Sequence, residues 1–210
     1  TVNNRNLRFK VPRNFESILK NKIVKNITRK SKYIIFDFGN NFYTILHLGM
    51  SGTLHIPSNK NVTNLSFYSN PTLPKKHNHI IIEFGKIKLI YNDPRRFGYF
   101  KILTNKYDFN NYFTRIGPEA LDKGFNLVYL KNKIKNRKKN IKNFLLDQKI
   151  VSGIGNIYAN EILYKSQVSP MKSVRKLSKI ELIKIIEFSK ITLKDAIKYG
   201  GSSIKDFKSI

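Results

Sequence analysis

The sequence predicts an α+β fold in two parts, an antiparallel β domain followed by a helical domain. Three observations predict it. The first half is a series of short Ile-, Tyr- and Phe-rich runs separated by hairpin signals. The second half carries apolar residues at helical spacing. Between them lies an Asn- and Asp-rich stretch, residues 105–118, broken by Gly117-Pro118 and read as a linker.

Taken in order, strands are expected at residues 33–38, 42–48, 79–84, 86–91 and 99–103. Gly39-Asn40-Asn41 and Gly85 punctuate them as tight hairpin turns would. Short strands at this spacing suggest an antiparallel sandwich or a barrel-like sheet. Residues 57–74, with their Ser, Asn and Pro content, read as a long loop. Helices are expected at residues 127–136, 141–150, 157–167 and 177–197. The last is the strongest, because Ser178 and Glu181 form a capping box at its start and Gly200-Gly201 ends it. The two domains leave room for a cleft between them.

Charge narrows the partner. The 210 residues hold 40 Lys and Arg against 13 Asp and Glu, a formal net charge of +27. An AT-rich coding bias inflates lysine on indifferent surface, yet it does not explain so few acids. A polyanion is expected, and nucleic acid is the default one. The chain has no cysteine, which excludes disulfides and thiolate zinc sites within it. His77 and His79 would share one face of a strand, but no matching ligand set accompanies them. No stretch is apolar and long enough to span a membrane and no signal peptide opens the chain, so a cytoplasmic protein is expected. The sequence starts at Thr1 and stops just after a loop-like segment, which reads as a fragment.

Four segments carry chemistry. Residues 147–164 (DQKIVSGIGNIYANEILY) pair two apolar helical patterns through a turn bracketed by Gly153 and Gly155. A helix beginning near Asn156 aims free N–H groups and a positive dipole end at a phosphate, or Asn156 merely caps its own helix. Residues 92–100 (NDPRRFGYF) hold two adjacent arginines and a phenylalanine. Arginine suits bidentate recognition of phosphates and base edges, and a ring can wedge into a base stack. Alternatively Asp93 pairs with an arginine while Phe97 sits in the core. Arg95 and Arg96 should point to opposite sides, so only one of them faces a cleft. In residues 47–54 (HLGMSGTL), Met50 between glycines reads either as core or as a flexible probe of a void. Residues 200–207 (GGSSIKDF) form the fourth.

Together these strings resemble formamidopyrimidine-DNA glycosylase, a family of bacterial repair enzymes acting on oxidised purines. The resemblance runs from about Asn4 to Phe207. It implies a β-sandwich domain of catalytic type over residues 1–107, incomplete at its N-terminus, and a helical helix–two-turn–helix domain over residues 108–210 without its zinc finger. It implies that Met50, Arg95 and Phe97 fill the space left by a flipped nucleotide, with Arg95 facing the orphaned pyrimidine. Lys32 aligns with a lysine that contacts phosphates beside the lesion and takes part in strand cleavage. Asn156 is implied as a phosphate contact. His77, Arg137 and Lys142 match positions used for DNA or lesion contacts, Lys205 falls in the loop over the extruded base, and Lys149 reads as a further phosphate contact.

The resemblance also implies what these residues lack. Family members start with a proline whose amine attacks the sugar and a glutamate that gives acid–base help, and they end in a four-cysteine zinc finger. Zinc is therefore expected only in that finger, and no other cofactor. The implied activity is bifunctional glycosylase and AP lyase on duplex DNA carrying oxidised or abasic sites, with this chain binding-competent, catalytically impaired and monomeric. An endonuclease VIII-like enzyme for oxidised pyrimidines, a non-catalytic DNA-binding remnant and an RNA-binding protein are the alternatives.

Overall fold

A computed structural model describes residues 1–57, 73–135 and 137–201, and the backbone of 62–64. They divide into two compact units at Asn110.

The first unit is a β-sandwich of two four-stranded antiparallel sheets. One has the order β1–β2–β3–β8, from Asn26–Lys30, Tyr33–Asp37, Tyr43–His47 and Tyr99–Leu103. The other has the order β5–β4–β7–β6, from Val62–Asn64, Thr53–Pro57, Ile87–Asn92 and Asn78–Phe84. Side chains alternate across each strand, so Phe36, Leu46, Leu54, Tyr91 and Phe100 meet in one buried core. The expected strands are all present, to within a residue or two at each end. Strands β1, β4 and β5 were not expected. β1 is exposed along its whole length and has no apolar alternation to betray it. β4 hides its alternation behind Thr53 and His55, polar residues that are nonetheless buried.

Residues 57–74 are not all loop. Val62–Asn64 forms β5 and pairs with β4 in the register His55↔Asn64 to Pro57↔Val62. The stretch read as a linker also needs correction, because Lys106–Thr114 is a helix, α2 after a short α1 at Phe15–Leu19. Asn105 starts it by accepting a hydrogen bond from the Asp108 amide at 2.7 Å. Phe109 in α2 stacks on Tyr43 with ring centroids 4.1 Å apart.

The second unit is helical: α3 (Leu127–Ile134), α4 (Ile141–Leu146), α5 (Asn156–Lys165) and α6 (Lys179–Lys198). Phe125, Leu130, Phe144, Leu145, Ile162 and Ile185 form its buried core. The α4 helix stops four residues before its expected end, because Asp147 turns the chain and its carboxylate and carbonyl collect the amides of Lys149 and Ile150. The α6 helix begins with the expected capping box between Ser178 and Glu181. It ends with the Gly201 amide donating to Ala196 and the Gly200 amide to Ile197, the bond pair of a Schellman cap.

Candidate nucleic-acid interface

The β-sandwich carries an open cavity of about 760 Å³ lined by Asn6, Arg8, Lys32, His47, Gly49, Met50, Arg95, Arg96 and Phe97. Three turns build it. Lys32 occupies the two-residue turn Ser31-Lys32 that joins β1 to β2, across the pair Lys30↔Tyr33. Met50 lies in the β3–β4 turn and is 63% exposed. Arg95, Arg96 and Phe97 lie in the β7–β8 turn, where Phe97 is 43% exposed. The core readings of Met50 and Phe97 are thereby set aside. A domain that leaves a thioether and a phenyl ring in water beside four cations has surface suited to a ligand with both flat faces and negative charge. No carboxylate lines the cavity.

Both arginines face this cavity, contrary to the alternation expected of a strand end. Arg96 has φ +57°, which breaks the alternation. The Arg95 guanidinium rests over the Phe97 ring at 4.5 Å.

Asp93, not an arginine partner, fixes the β7–β8 turn. It is fully buried. Its carboxylate accepts hydrogen bonds from Ser51 Oγ at 2.5 Å, Tyr91 Oη at 2.8 Å and the amides of Gly98 at 2.9 Å and Arg95 at 3.2 Å. Burying a carboxylate costs several kcal/mol, and charge-assisted hydrogen bonds return about 1.5–3 kcal/mol each. Four of them win: burial pushes the Asp93 pKa up, but the bonds from Ser51, Gly98, Tyr91 and Arg95 hold it below the ordinary value. Gly98 has no room for a side chain, since a Cβ there would collide with Tyr91 Oη and stand 2.6 Å from the His47 carbonyl.

His47 closes the floor of the cavity. Its Nδ1 accepts the Gly49 amide at 3.0 Å, which places the proton of the neutral ring on Nε2. Desolvation, then the charges of Arg8 and Lys32, lower its pKa. Lys32 reaches solvent, yet its concave surroundings desolvate the ammonium and lower its pKa too.

The helical unit carries the second element. Between α4 and α5, Ile150, Val151 and Ile154 are fully buried and pin the turn. Gly153 takes φ +91°, open only to glycine at little cost. The side-chain amide of Gln148 donates to the carbonyls of Leu146 and Ile154 and accepts the Gly153 amide, at 3.2, 2.9 and 2.9 Å. Helix α5 then starts at Gly155, which caps it without a side chain. Asn156 is exposed in the first turn and, among the described residues, its side chain has no hydrogen-bond partner, so it does not cap its own helix.

Other expected site residues lie elsewhere. His77 ends a 3₁₀ turn before β6, not a strand shared with His79, and it packs edge-on to His79 at 6.5 Å. It does not line the cavity. Arg137 lies between α3 and α4, Lys142 in the first turn of α4, and Lys149 is exposed in the α4–α5 turn. Lys205 falls outside the described residues. Asp93, Ser51, Arg8, His47 and Gln148 went unread as site residues, although DPRRFG and DQKIVSGIG contain two of them.

Comparison with known proteins matches residues 1–100 to the N-terminal domain of formamidopyrimidine-DNA glycosylase and residues 116–208 to the helix–two-turn–helix domain of the same enzyme. The chain belongs to the formamidopyrimidine-DNA glycosylase family. The formamidopyrimidine-DNA glycosylase of Wolbachia pipientis from Culex pipiens is 40% identical over 208 residues, which are 99% of this chain and 72% of that protein. The Lactococcus lactis glycosylase bound to DNA with an abasic site superposes with a TM-score of 0.76 at 32% identity, covering 90% of this chain and 68% of the other. A MutM structure holding DNA with carbocyclic 8-oxo-G gives 0.76 at 32% identity, over 91% and 70%.

The α4–α5 hairpin falls within the stretch matched to the helix–two-turn–helix domain, and the residues of the sandwich cavity within the stretch matched to the N-terminal domain. Among the described residues no group of three His, Asp or Glu is placed to hold a metal, and a chain without cysteine cannot build a four-thiolate zinc site. No described helix is long and apolar enough to cross a membrane.

Proposed function

We propose that this chain recognises oxidised-purine and abasic sites in duplex DNA. The observation that carries the reading is the acid-free cavity in which exposed Met50 and Phe97 stand among Arg8, Lys32, Arg95 and Arg96. The glycosidic bond of a stacked base is shielded, so an enzyme of this kind extrudes the nucleotide and must refill the stack. Met50 and Phe97 supply polarisable and aromatic surface for the gap, and Arg95, steadied on the Phe97 ring, supplies donors for the unpaired base opposite. Lys32, Arg8 and Arg96 take the surrounding phosphates. In the helical unit, the amino end of α5, which no side chain caps, and the Asn156 side chain take another phosphate. His77, Arg137, Lys142, Lys149 and Lys205 serve as outer DNA contacts.

Glycosylase and lyase chemistry in this family runs through an amine that forms a Schiff base with the sugar. None of the residues that line the sandwich cavity is a proline or a carboxylic acid. Lys32 is the lysine that lines the cavity, and its lowered pKa raises the neutral amine fraction. We expect binding without efficient base excision.

Borohydride trapping on duplex DNA with an abasic site opposite dC, with binding measured alongside, tests this. Preferential binding to the abasic duplex with no trapped adduct is the expected result. Equal binding to abasic, intact and RNA duplexes would sink the recognition reading. A trapped adduct that maps to Lys32 would overturn the claim of impaired chemistry.

A further inference from the structure

We infer that Ser51 and Asp93 are positioning residues that lock the Met50 turn and the Arg95–Phe97 turn into one rigid wedge. The inference rests on the proposed DNA-reading role of those turns and adds the device that makes them act together.

The two turns are separated by about forty residues in sequence, yet they share a backbone seam. A Cβ on Gly49 would stand 2.6 Å from the Gly98 nitrogen and 2.6 Å from the Phe97 carbonyl carbon, so the chains touch main chain to main chain. Gly49 also has φ +72°, a second reason for glycine there. Across this seam runs one side-chain bridge: Ser51 Oγ donates to Asp93 Oδ1 at 2.5 Å, and the Arg95 amide reaches Ser51 Oγ at 3.3 Å and Asp93 Oδ1 at 3.2 Å. Ser51 lies next to Met50, and the Arg95 amide is the backbone of the probing arginine itself. On its far side Asp93 holds Tyr91 Oη and the Gly98 amide, next to Phe97. Its own main chain is held as well, the carbonyl by His79 Nε2 at 2.8 Å and the amide by the His77 carbonyl at 3.0 Å.

The consequence is cooperative insertion. Exposed side chains on independent turns would each lose freedom when they enter a base stack. Turns already fixed to each other enter as one body, and the ordering cost falls before DNA arrives. Loss of one probe should then strand the other, because each was placed for the same gap. This gives Ser51 and Asp93 an effect on lesion discrimination without contact with DNA.

A double-mutant cycle tests it. The preference of the 210-residue chain for a duplex carrying a tetrahydrofuran abasic analogue over an undamaged duplex is measured for Met50→Ala, Phe97→Ala and both together. In the parent chain the two losses should be non-additive by about fivefold or more, the behaviour of residues in one network. In a Ser51→Ala background, where Asp93 keeps three of its four donors, the losses should become additive to within about twofold. Ser51→Thr should restore the coupling and its isostere Ser51→Val should not, and that pair carries the comparison if Ser51→Ala lowers the melting temperature into the assay range. Undiminished non-additivity in folded Ser51→Ala or Ser51→Val overturns the lock. If neither Met50→Ala nor Phe97→Ala changes the preference at all, the wedge reading falls first and the lock with it.

Discussion

Asp93 shows how far a single buried acid can organise a basic surface. Because its folded pKa is depressed, the stability it supplies is fully present above the unfolded carboxylate value of about 3.9 and is lost as pH falls through the lower folded value. Asp93→Asn should therefore cost about 2 kcal/mol or more at neutral pH, and its melting curve should converge with the parent's as pH falls below about 4. A gap that stays constant down to acid would show that the charge itself does little. Phe97→Ala tests the surface that Asp93 supports. Stacking on one base is worth about 1–3 kcal/mol, so the preference for abasic over intact duplex should fall roughly tenfold in competition binding.

At the level of elements, the α4–α5 hairpin depends on a side-chain amide that no periodicity marks. Gln148→Ala removes three hydrogen bonds and leaves the Gly153 amide bare. It should cost about 1–3 kcal/mol and should raise hydrogen exchange around residues 148–156 while the sandwich amides stay protected. Ser178→Ala should cost α6 about 1 kcal/mol by opening its capping box, read in the same exchange experiment. These cases mark the limit of what the sequence makes legible. Strands β2, β3, β6, β7 and β8 and helices α3, α5 and α6 announce themselves through apolar period and turn residues. Strand β1 and helix α2 do not, since β1 buries nothing and α2 buries only Phe113. In the candidate site, Lys32, Met50, Arg95, Phe97 and Asn156 were legible through the family resemblance; the first four line one cavity and Asn156 opens α5. Asp93, Ser51 and Gln148 were not, because their partners are mostly backbone groups brought close by the fold.

For the molecule as a whole, charge sets the terms of binding. If several phosphates are neutralised, the logarithm of the association constant should fall with the logarithm of salt concentration at about −0.9 per phosphate. A flat titration would mean that the +27 charge is spread over surface that never meets DNA. The exposed outer strand of the first sheet suffers a different effect of the same charge. Among the described strands, β1 is the outermost of its sheet, exposed along its length, with Ile27 58% open to water. Such an edge invites a second copy to pair with it and begin aggregation. Lys25, Arg29 and Lys30 set like charges against each other whenever two such edges approach. Salt strong enough to strip the protein from nucleic acid also screens that repulsion to about 3 Å at 1 M, so DNA-free preparations should clump as ionic strength rises unless Ile27 is made polar.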